Sequence, residues 1–253
     1  MRPFFTIITV SFNNEFTIEN TILSVKKQKY ENYEYIIIDG ASTDNTLKVI
    51  SAYSETIDFL ISEKDKGIYD AMNKGLRLAK GNVVGFLHAD DVFANELVLT
   101  DIYESFEKNG ELSAIYGDLN YICNNESTSV FRVWKSCSFT KDLLKKGWMP
   151  PHPTLYVSRE CFKELKGFNT NYKISSDYDF ILRLFSNQNY MTHYIPKVLV
   201  NMSVGGVSNK SFKNIIKKSL EDFIILRCNG SSIISSLTAL TFKNVSKLYQ
   251  FLH

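Results

Sequence analysis

The sequence predicts an α/β fold, with a mixed but mainly parallel sheet, helices on both of its faces and further helices at the C-terminus. Apolar, β-branched runs alternate with helical patterns from Phe4 to His88, which is typical of a parallel sheet covered by helices. Two of the predicted strands end in aspartates, as expected where an open α/β sheet holds a nucleotide and its metal ion. The 253 residues suffice for a large hydrophobic core.

In the first half, the apolar runs at Phe4–Ser11 and Val83–Leu87 predict buried strands, and apolar residues near helical spacing predict the helices between the strands. Ser42 or Thr43 is expected to cap the second helix. The predicted elements, in chain order, are a strand at Phe4–Ser11, a helix at Glu15–Gln28, a strand at Tyr33–Asp39, a helix around Leu47–Ile50, a strand at Phe59–Ser62, a helix at Ile68–Lys80 and a strand at Val83–His88.

The second half has a different pattern, in which antiparallel strands surround a polar turn and prolines at 150–153 interrupt the chain. The predicted elements are a helix at Ala94–Asn109, strands at Ser113–Ile122 and Ser129–Trp134, a helix at Ser175–Ser186 and a strand at Tyr190–Val200. We expect one domain over residues 1–210, in which the two halves meet near residue 110 and share one core, and a helical appendage at 211–253.

The C-terminal segment carries two amphipathic patterns. In the first, lysines alternate with apolar residues from Ile215 to Ile224; the second extends from Ile233 to Phe251. For the first helix we expect packing on the core, with a dimer contact as the alternative. For the last helix we expect a peripheral contact with the cytoplasmic leaflet of the inner membrane. The oligomeric state stays open.

Composition excludes several classes of protein. A net charge of +2 is too small for binding nucleic acid over a wide surface. The first half contains neither GxGxxG nor GxxxxGK[ST], which argues against a dinucleotide-dependent dehydrogenase and a P-loop enzyme. No apolar stretch is long enough to span a membrane, and the four cysteines form no CxxC pair. We therefore expect a cytoplasmic protein with reduced thiols.

The acidic strand ends are the candidate binding residues. Asp39 follows the second strand and is expected to contact a ligand, whereas Asp44 is expected to stabilise the turn; a turn-stabilising role for both is the alternative. Asp90 and Asp91 follow the fourth strand as a pair, and adjacent carboxylates at a strand end require solvation or a counter-charge. A divalent cation would supply that charge, while a helix N-terminus is the alternative explanation.

Six motifs together resemble glycosyltransferase family 2, a family of inverting enzymes with the GT-A fold. The similarity extends in order and spacing over roughly residues 4–207. The motifs are TVSFNN at Thr9–Asn14, IIIDGASTDNT at Ile36–Thr46, EKDKGIYDAMNKG at Glu63–Gly75, GNVVGFLHADD at Gly81–Asp91, PHPTLYVSR at Pro151–Arg159 and SSDYDFILRL at Ser175–Leu184. The resemblance implies a nucleotide-sugar-binding first half, an acceptor-binding second half, and Mg²⁺ or Mn²⁺ as cofactor.

The resemblance also implies roles for residues of the nucleotide-binding half. The end of the first strand, from Val10 to Phe12, would lie near the base of the nucleotide, and Asp39 would contact that base. Asp90 would lie near the ribose, and Asp91 would bind the metal ion. His88 stands where many relatives have an acidic or amide residue.

In the DKGIYDAMNKG segment, Lys66 and Asp70 resemble residues that lie over the nucleotide and its diphosphate. Lys66 could screen phosphate charge, with a solvated lysine at a helix start as the alternative.

In the second half, Asp177 matches the aspartate that is the proposed catalytic base of the family, although Ser176 replaces the glutamate that usually precedes it. A charge at a helix N-terminus is the alternative reading of Asp177. His152 is expected to contact phosphate, metal or acceptor, or else to be a turn histidine held by prolines. Trp148 could stack on a sugar ring or belong to the core.

These residues predict an inverting, metal-dependent transfer of a sugar from a nucleotide-diphosphate sugar, most often a UDP-sugar, to an acceptor hydroxyl. The resemblance further suggests a lipid-linked saccharide acceptor in bacterial surface polysaccharide synthesis. Two alternatives remain. A nucleotidyltransferase would use a related sheet, but the chain lacks an N-terminal glycine-rich phosphate loop with Lys or Arg. A non-catalytic sugar-nucleotide-binding protein would account for the departures at Ser176 and His88.

Overall fold

The computed structural model describes residues 3–123, 130–203 and 212–249, with side chains at all of them except 212, 213 and 244–249. Within these ranges, nine strands form one mixed sheet. The strands are β1 (Phe5–Ser11), β2 (Tyr33–Asp39), β3 (Phe59–Ser62), β4 (Val83–Phe86), β5 (Asp91–Phe93), β6 (Ala114–Ile122), β7 (Val130–Trp134), β8 (Tyr156–Ser158) and β9 (Thr192–Ser203).

The sheet has the order β3-β2-β1-β4-β8-β6-β9-β5, and β7 pairs with β6. Strands β1 to β4 are parallel to one another, as the alternation of the first half predicts. The strand β8 is antiparallel to β4 and introduces the mixed half of the sheet.

Helices cover both faces of this sheet. They are α1 (Ile18–Lys26), α2 (Thr46–Ser51), α3 (Ile68–Leu78), α4 (Val98–Asn109), α5 (Lys141–Lys145), α6 (Arg159–Glu164), α7 (Ser176–Ser186), α8 (Phe212–Cys228) and α9 (Ile233–Tyr249). Buried residues of α1 and α4 pack on one face of the central strands. Those of α3, α6 and α7 pack on the other. Because α1 and α3 lie on opposite faces, the carboxyl ends of β1 and β4 border a crevice, which is where open α/β sheets bind ligands.

The boundaries of β2 and β3 agree with the predicted ones, but several local predictions are wrong. The helix α2 begins at Thr46 and is not capped by Ser42 or Thr43. Asp44 takes that role, since its carboxylate accepts hydrogen bonds from the backbone N–H and the hydroxyl of Thr46. Ser42 instead binds the carboxylate of Asp39.

The structure also contains short elements that the sequence patterns do not predict. The strand β5 forms directly after the paired aspartates, where it pairs with β9 in an antiparallel register that sets Asp91 opposite Met202. The strand β8 and the helices α5 and α6 are also absent from the sequence-based prediction. The strands that pair with β5 and β8 lie far away along the chain, so a local pattern does not reveal these two strands.

The helices α8 and α9 pack on α7 through a small buried cluster. Its members are Tyr178, Leu182, Ile225, Leu226 and Ala239. The predicted boundary between residues 210 and 211 lies outside the described residues. In the described part of the chain, no helix combines the length and the apolar character needed to cross a bilayer.

Candidate active site

Asp39 ends β2 and is fully buried. Its carboxylate accepts hydrogen bonds from the backbone N–H and the hydroxyl of Ser42, and from the hydroxyl of Ser62 at 2.7 Å. These bonds fold the turn after β2 and tie it to β3. The structure therefore gives Asp39 a turn-stabilising role, and its predicted contact with a nucleotide base remains a prediction.

Phe12 and Gly40 form the surface next to Asp39. The ring of Phe12 is 60% exposed at the end of β1, whereas Val10 packs into the core. A Cβ atom on Gly40 would lie 3.3 Å from the ring of Phe12 and 2.6 Å from Oδ2 of Asp65. Only glycine lets these three residues approach so closely. An exposed aromatic face beside a carboxylate is a suitable surface for a nucleotide base, as predicted for Phe12.

Lys66 and Asp70 lie at the N-terminus of α3. The carboxylate of Asp70 accepts a hydrogen bond from the backbone N–H of Lys66 at 3.0 Å, as acidic residues in the first turn of a helix commonly do. The side chain of Lys66 is exposed. Asp70 thus has a structural role at this helix start, and the predicted contacts of both residues with the donor remain untested.

The paired aspartates differ strongly in environment. Asp90 is half-buried, whereas Asp91 is 1% exposed. Within the described ranges, Oδ1 of Asp91 has no hydrogen-bond partner. Burial and the neighbouring charge of Asp90 raise the pKa of Asp91 well above its usual value, and only the backbone N–H of Ser203 opposes this. A buried carboxylate in this state would be stabilised by a cation.

A divalent metal ion fits this arrangement. No group of three or more His, Cys, Asp or Glu side chains is close enough to form an all-protein metal site within the described parts of the chain. Mg²⁺ and Mn²⁺ need no such group, since they are commonly held by one or two carboxylates together with the phosphates of a substrate. The unpartnered oxygen of Asp91 is a suitable ligand of that kind.

Asp177 lies in the first turn of α7, where three elements meet. Its Oδ2 lies 3.4 Å from Nδ1 of His152, which belongs to the 3-10 turn His152–Thr154. Its Oδ1 lies 3.0 Å from the hydroxyl of Tyr69, on α3. The ring centroids of His152 and His88 are 6.3 Å apart. Asp177 therefore lies beside His152, and the ring of His152 lies near that of His88, in the segment between β4 and β5 that also contains Asp90.

The charges around Asp177 favour its ionised form. Burial alone would raise the pKa of Asp177, but the positive charges of His152 when protonated, Lys218 and Lys243 outweigh burial and lower it. Burial lowers the pKa of His152 to about 4, although Asp177 opposes the shift, so His152 is neutral at pH 7. Burial also lowers the pKa of His88. The site thus holds an ionised carboxylate beside two neutral imidazoles.

Trp148 lies in an aromatic cluster of the second half of the chain. Its ring contacts those of Tyr116, Phe139 and Phe185 at centroid distances of 5.5–5.8 Å. This arrangement is typical of core packing, although the side chain is only half-buried. Its predicted contact with a sugar remains untested.

Sequence reasoning missed Tyr69, Lys218 and Lys243 as residues of this site. Tyr69 lies inside the DKGIYDAMNKG motif, in which the charged residues Lys66 and Asp70 are the predicted binding residues. The two lysines come from the C-terminal helices, and no spacing in the sequence indicates that these helices reach α7.

Comparison with known proteins identifies the family. The family model "Glycosyl transferase family 2" matches residues 6–160, which is more than half of the chain. The chain belongs to glycosyltransferase family 2. This family membership confirms the interpretation of the six motifs, and the sheet with its flanking helices is the GT-A fold.

Two curated relatives are similar to this glycosyltransferase. A PGL/p-HBAD biosynthesis glycosyltransferase of Mycobacterium bovis (strain BCG / Pasteur 1173P2) is 28% identical over 211 residues, covering 82% of this chain and 80% of the relative. WfgD of Escherichia coli, a UDP-Glc:α-D-GlcNAc-diphosphoundecaprenol β-1,3-glucosyltransferase, is 36% identical over 141 residues, covering 55% of this chain and 54% of WfgD.

Among solved structures, residues 1–349 of S. aureus TarS, in complex with UDP-GlcNAc, have the same fold. The TM-score is 0.70 at 17% identity, covering 95% of this chain and 70% of the TarS fragment. In the match to a longer S. aureus TarS chain, this protein covers 41% of the TarS chain.

Proposed function

We propose that this glycosyltransferase transfers a sugar from a UDP-sugar to a hydroxyl group of a lipid-linked saccharide, with inversion at the anomeric carbon. The observation that carries the proposal is the placement of the Asp177 carboxylate 3.4 Å from His152, whose ring lies 6.3 Å from that of His88, three residues before Asp91. The name of WfgD supports a UDP-sugar donor and a diphosphoundecaprenol-linked acceptor.

In the proposed reaction, the acceptor hydroxyl oxygen attacks C1 of the donor sugar while the bond from C1 to the diphosphate oxygen breaks. The proton of the hydroxyl moves to the carboxylate of Asp177, and UDP leaves with the electron pair of the broken bond. Asp177 suits this role because it is ionised at neutral pH and is 18% exposed, so an acceptor can reach it. His152, which is neutral at pH 7 and lies 3.4 Å from the carboxylate, adds no competing charge there.

Asp91 would hold a Mg²⁺ or Mn²⁺ ion, with Asp90 beside it. Such an ion supplies Lewis-acid stabilisation of the negative charge that develops on a leaving diphosphate. Phe12, Asp39, Lys66 and Asp70 would border the donor at the carboxyl edge of the sheet.

The proposed location is the cytoplasmic face of the inner membrane, where a lipid-linked acceptor would be presented. Exposed apolar side chains on α9 support such a contact, among them Ile234 at 79% and Leu237 at 54% exposure.

The proposal is tested first by ligand-induced stabilisation. UDP and one UDP-sugar should raise the melting temperature only when Mn²⁺ or Mg²⁺ is present, because binding to the folded state stabilises it. A rise with GDP instead would change the donor class, and a rise with a nucleoside triphosphate would favour the nucleotidyltransferase. No rise with any nucleotide would favour a non-catalytic protein.

The second test separates chemistry from binding. Asp177→Asn should lower the rate of transfer by on the order of 10²–10⁴-fold while UDP binding persists, since it removes the base and keeps its shape. Asp179→Asn is the matched control on the same helical turn. Asp179 pairs with Arg183 at 2.8 Å, so its loss should weaken folding and spare transfer in the folded fraction. Near-normal transfer by Asp177→Asn would exclude the proposed base.

A further inference from the structure

The carboxylate of Glu221, on α8, binds the chain segment that leads into α7. Its Oε1 accepts a hydrogen bond from the N–H of Lys173 at 3.0 Å. Its Oε2 accepts bonds from the N–H groups of Ile174 at 2.8 Å and Ser175 at 3.0 Å. Glu221 is only 8% exposed. Three charge-assisted bonds to consecutive N–H groups hold the segment that precedes α7, up to its N-cap residue Ser175, in place.

The same segment is also bound by α3. The hydroxyl of Tyr69 lies 2.7 Å from the carbonyl oxygen of Ile174 and 3.0 Å from Oδ1 of Asp177. Ile174 is thus bound both by Glu221 and by Tyr69. Asp177 follows two residues after Ser175, inside the first turn of α7, so its position depends directly on where this segment is held.

The orientation of α8 is fixed in turn by α9. Lys243 binds Asp222, the neighbour of Glu221, at 2.7 Å, and these side chains are 6% and 4% exposed. The ammonium group of Lys243 also lies 3.3 Å from the ring centroid of Tyr178, the neighbour of Asp177. A buried ion pair of this kind tolerates little displacement, because separating it would leave two charges without compensation.

We infer that Glu221 is a positioning residue of the transfer reaction, which makes the C-terminal helices part of the catalytic unit. Glu221 holds the start of α7 so that the carboxylate of Asp177 faces the acceptor hydroxyl. The inference rests on the proposed role of Asp177 as the base. A displacement of a catalytic group by about 1 Å can lower a rate by about 100-fold, so the effect of losing this anchor is measurable.

The test compares Glu221→Gln with the matched variant Glu34→Gln. Glu34 is also buried, at 5% exposure, and its Oε1 accepts bonds from the hydroxyl of Thr6 and the N–H groups of Lys80 and Gly81. Glu34 lies near the start of β2, whereas Asp39 is the last residue of the same strand. Both variants should therefore lose stability, but only Glu221 binds the segment that leads to Asp177.

For Glu221→Gln we expect kcat to fall by tenfold or more, with the KM for the donor and the binding of UDP unchanged. For Glu34→Gln, kcat per folded molecule should equal that of the wild type. Equal kcat values for the two variants, measured at temperatures where both are folded, would overturn the inference, because Glu221 would then have only a role in folding.

A double variant separates this inference from the proposed base. If Glu221 acts through Asp177, Glu221→Gln should lower transfer strongly alone and add nothing to Asp177→Asn. An additive loss would overturn the inference and leave the base assigned. Undiminished transfer by Asp177→Asn alone would instead reject the base itself.

Amide hydrogen exchange keeps the inference testable if Glu221→Gln fails to fold. The amides of residues 173–175 should be protected in the wild type and should exchange faster in Glu221→Asp, whose shorter side chain keeps the charge but not the reach. That variant should also show the loss of kcat. Fast exchange of these amides in the wild type would overturn the inference.

Discussion

Two buried aspartates of this glycosyltransferase look equivalent in the sequence, where each follows a predicted strand, and their environments are opposite. Asp39, at the end of β2, has hydrogen-bond donors for both carboxylate oxygens. Asp91, beyond β4, has an oxygen with no partner in the described residues and a like charge beside it. A fully bonded carboxylate organises the fold, whereas one that lacks a partner is suited to a ligand. The two aspartates should therefore respond oppositely to removal of their charge.

The largest effect is expected for Asp91→Asn. Metal-dependent stabilisation by UDP should be lost. The rate of transfer should fall on the order of 1,000-fold, which corresponds to an activation barrier that is higher by several kcal/mol. Without metal, the free energy of unfolding should not decrease. Because folding raises the pKa of Asp91, ionisation of this carboxyl destabilises the folded protein as the pH rises. Asparagine cannot ionise and so removes this destabilisation.

The comparison for Asp91→Asn is best made with Asp90→Asn, because Asp90 is half-buried and adjacent. Melting temperatures with and without UDP and Mn²⁺ would measure both effects. A metal-dependent rise that persists in Asp91→Asn would contradict the assignment of the metal ligand.

A smaller effect of the opposite kind is expected for Asp39→Asn. Asparagine offers one acceptor oxygen where the carboxylate offers two, so its amide group would face a donor from Ser42 or Ser62. The free energy of unfolding should fall by about 1–3 kcal/mol. Urea unfolding would measure this loss as a lower midpoint concentration of urea with an unchanged m-value.

Unchanged stability in Asp39→Asn would show that the bonds to Ser42 and Ser62 contribute little. In that case, a role of Asp39 in binding the nucleotide base would gain support. Ser62→Ala is a useful companion, since it removes one donor and leaves the carboxylate in place.

The contrast between Asp39 and Asp91 also marks the limit of what the sequence predicts. Apolar, β-branched runs predict the bounds of β2 and β3, although β2 is buried along nearly its whole length and β3, at the end of the strand order, alternates between half-buried and exposed residues. The partners of a carboxylate come from other elements. Ser62 lies 23 positions after Asp39, and no local pattern connects the two.

The second half of the chain shows the same limit more strongly. The three-residue strands β5 and β8 exist because of pairing with β9 and with β4 and β6. Glu221 binds N–H groups 46 to 48 positions earlier in the chain. The motif around Asp177 is visible in the sequence, but the side chains that hold it are not, since they act through tertiary packing and not through spacing.

The smallest effect concerns Asp177, which is a third kind of buried carboxylate. It stays ionised largely because positive charges lie near it, Lys218 among them. Lys218→Gln removes one such charge and should raise the pKa of Asp177. A base acts only when deprotonated, so the acidic limb of the pH profile of kcat/KM should move to higher pH, and the rate at high pH should stay unchanged.

Lys217→Gln, at the exposed neighbouring position, should leave the profile unchanged. Equal profiles for the two variants would show that Lys218 does not influence the base, and the lowered pKa of Asp177 would then depend on His152, Lys243 and the backbone N–H of Tyr178.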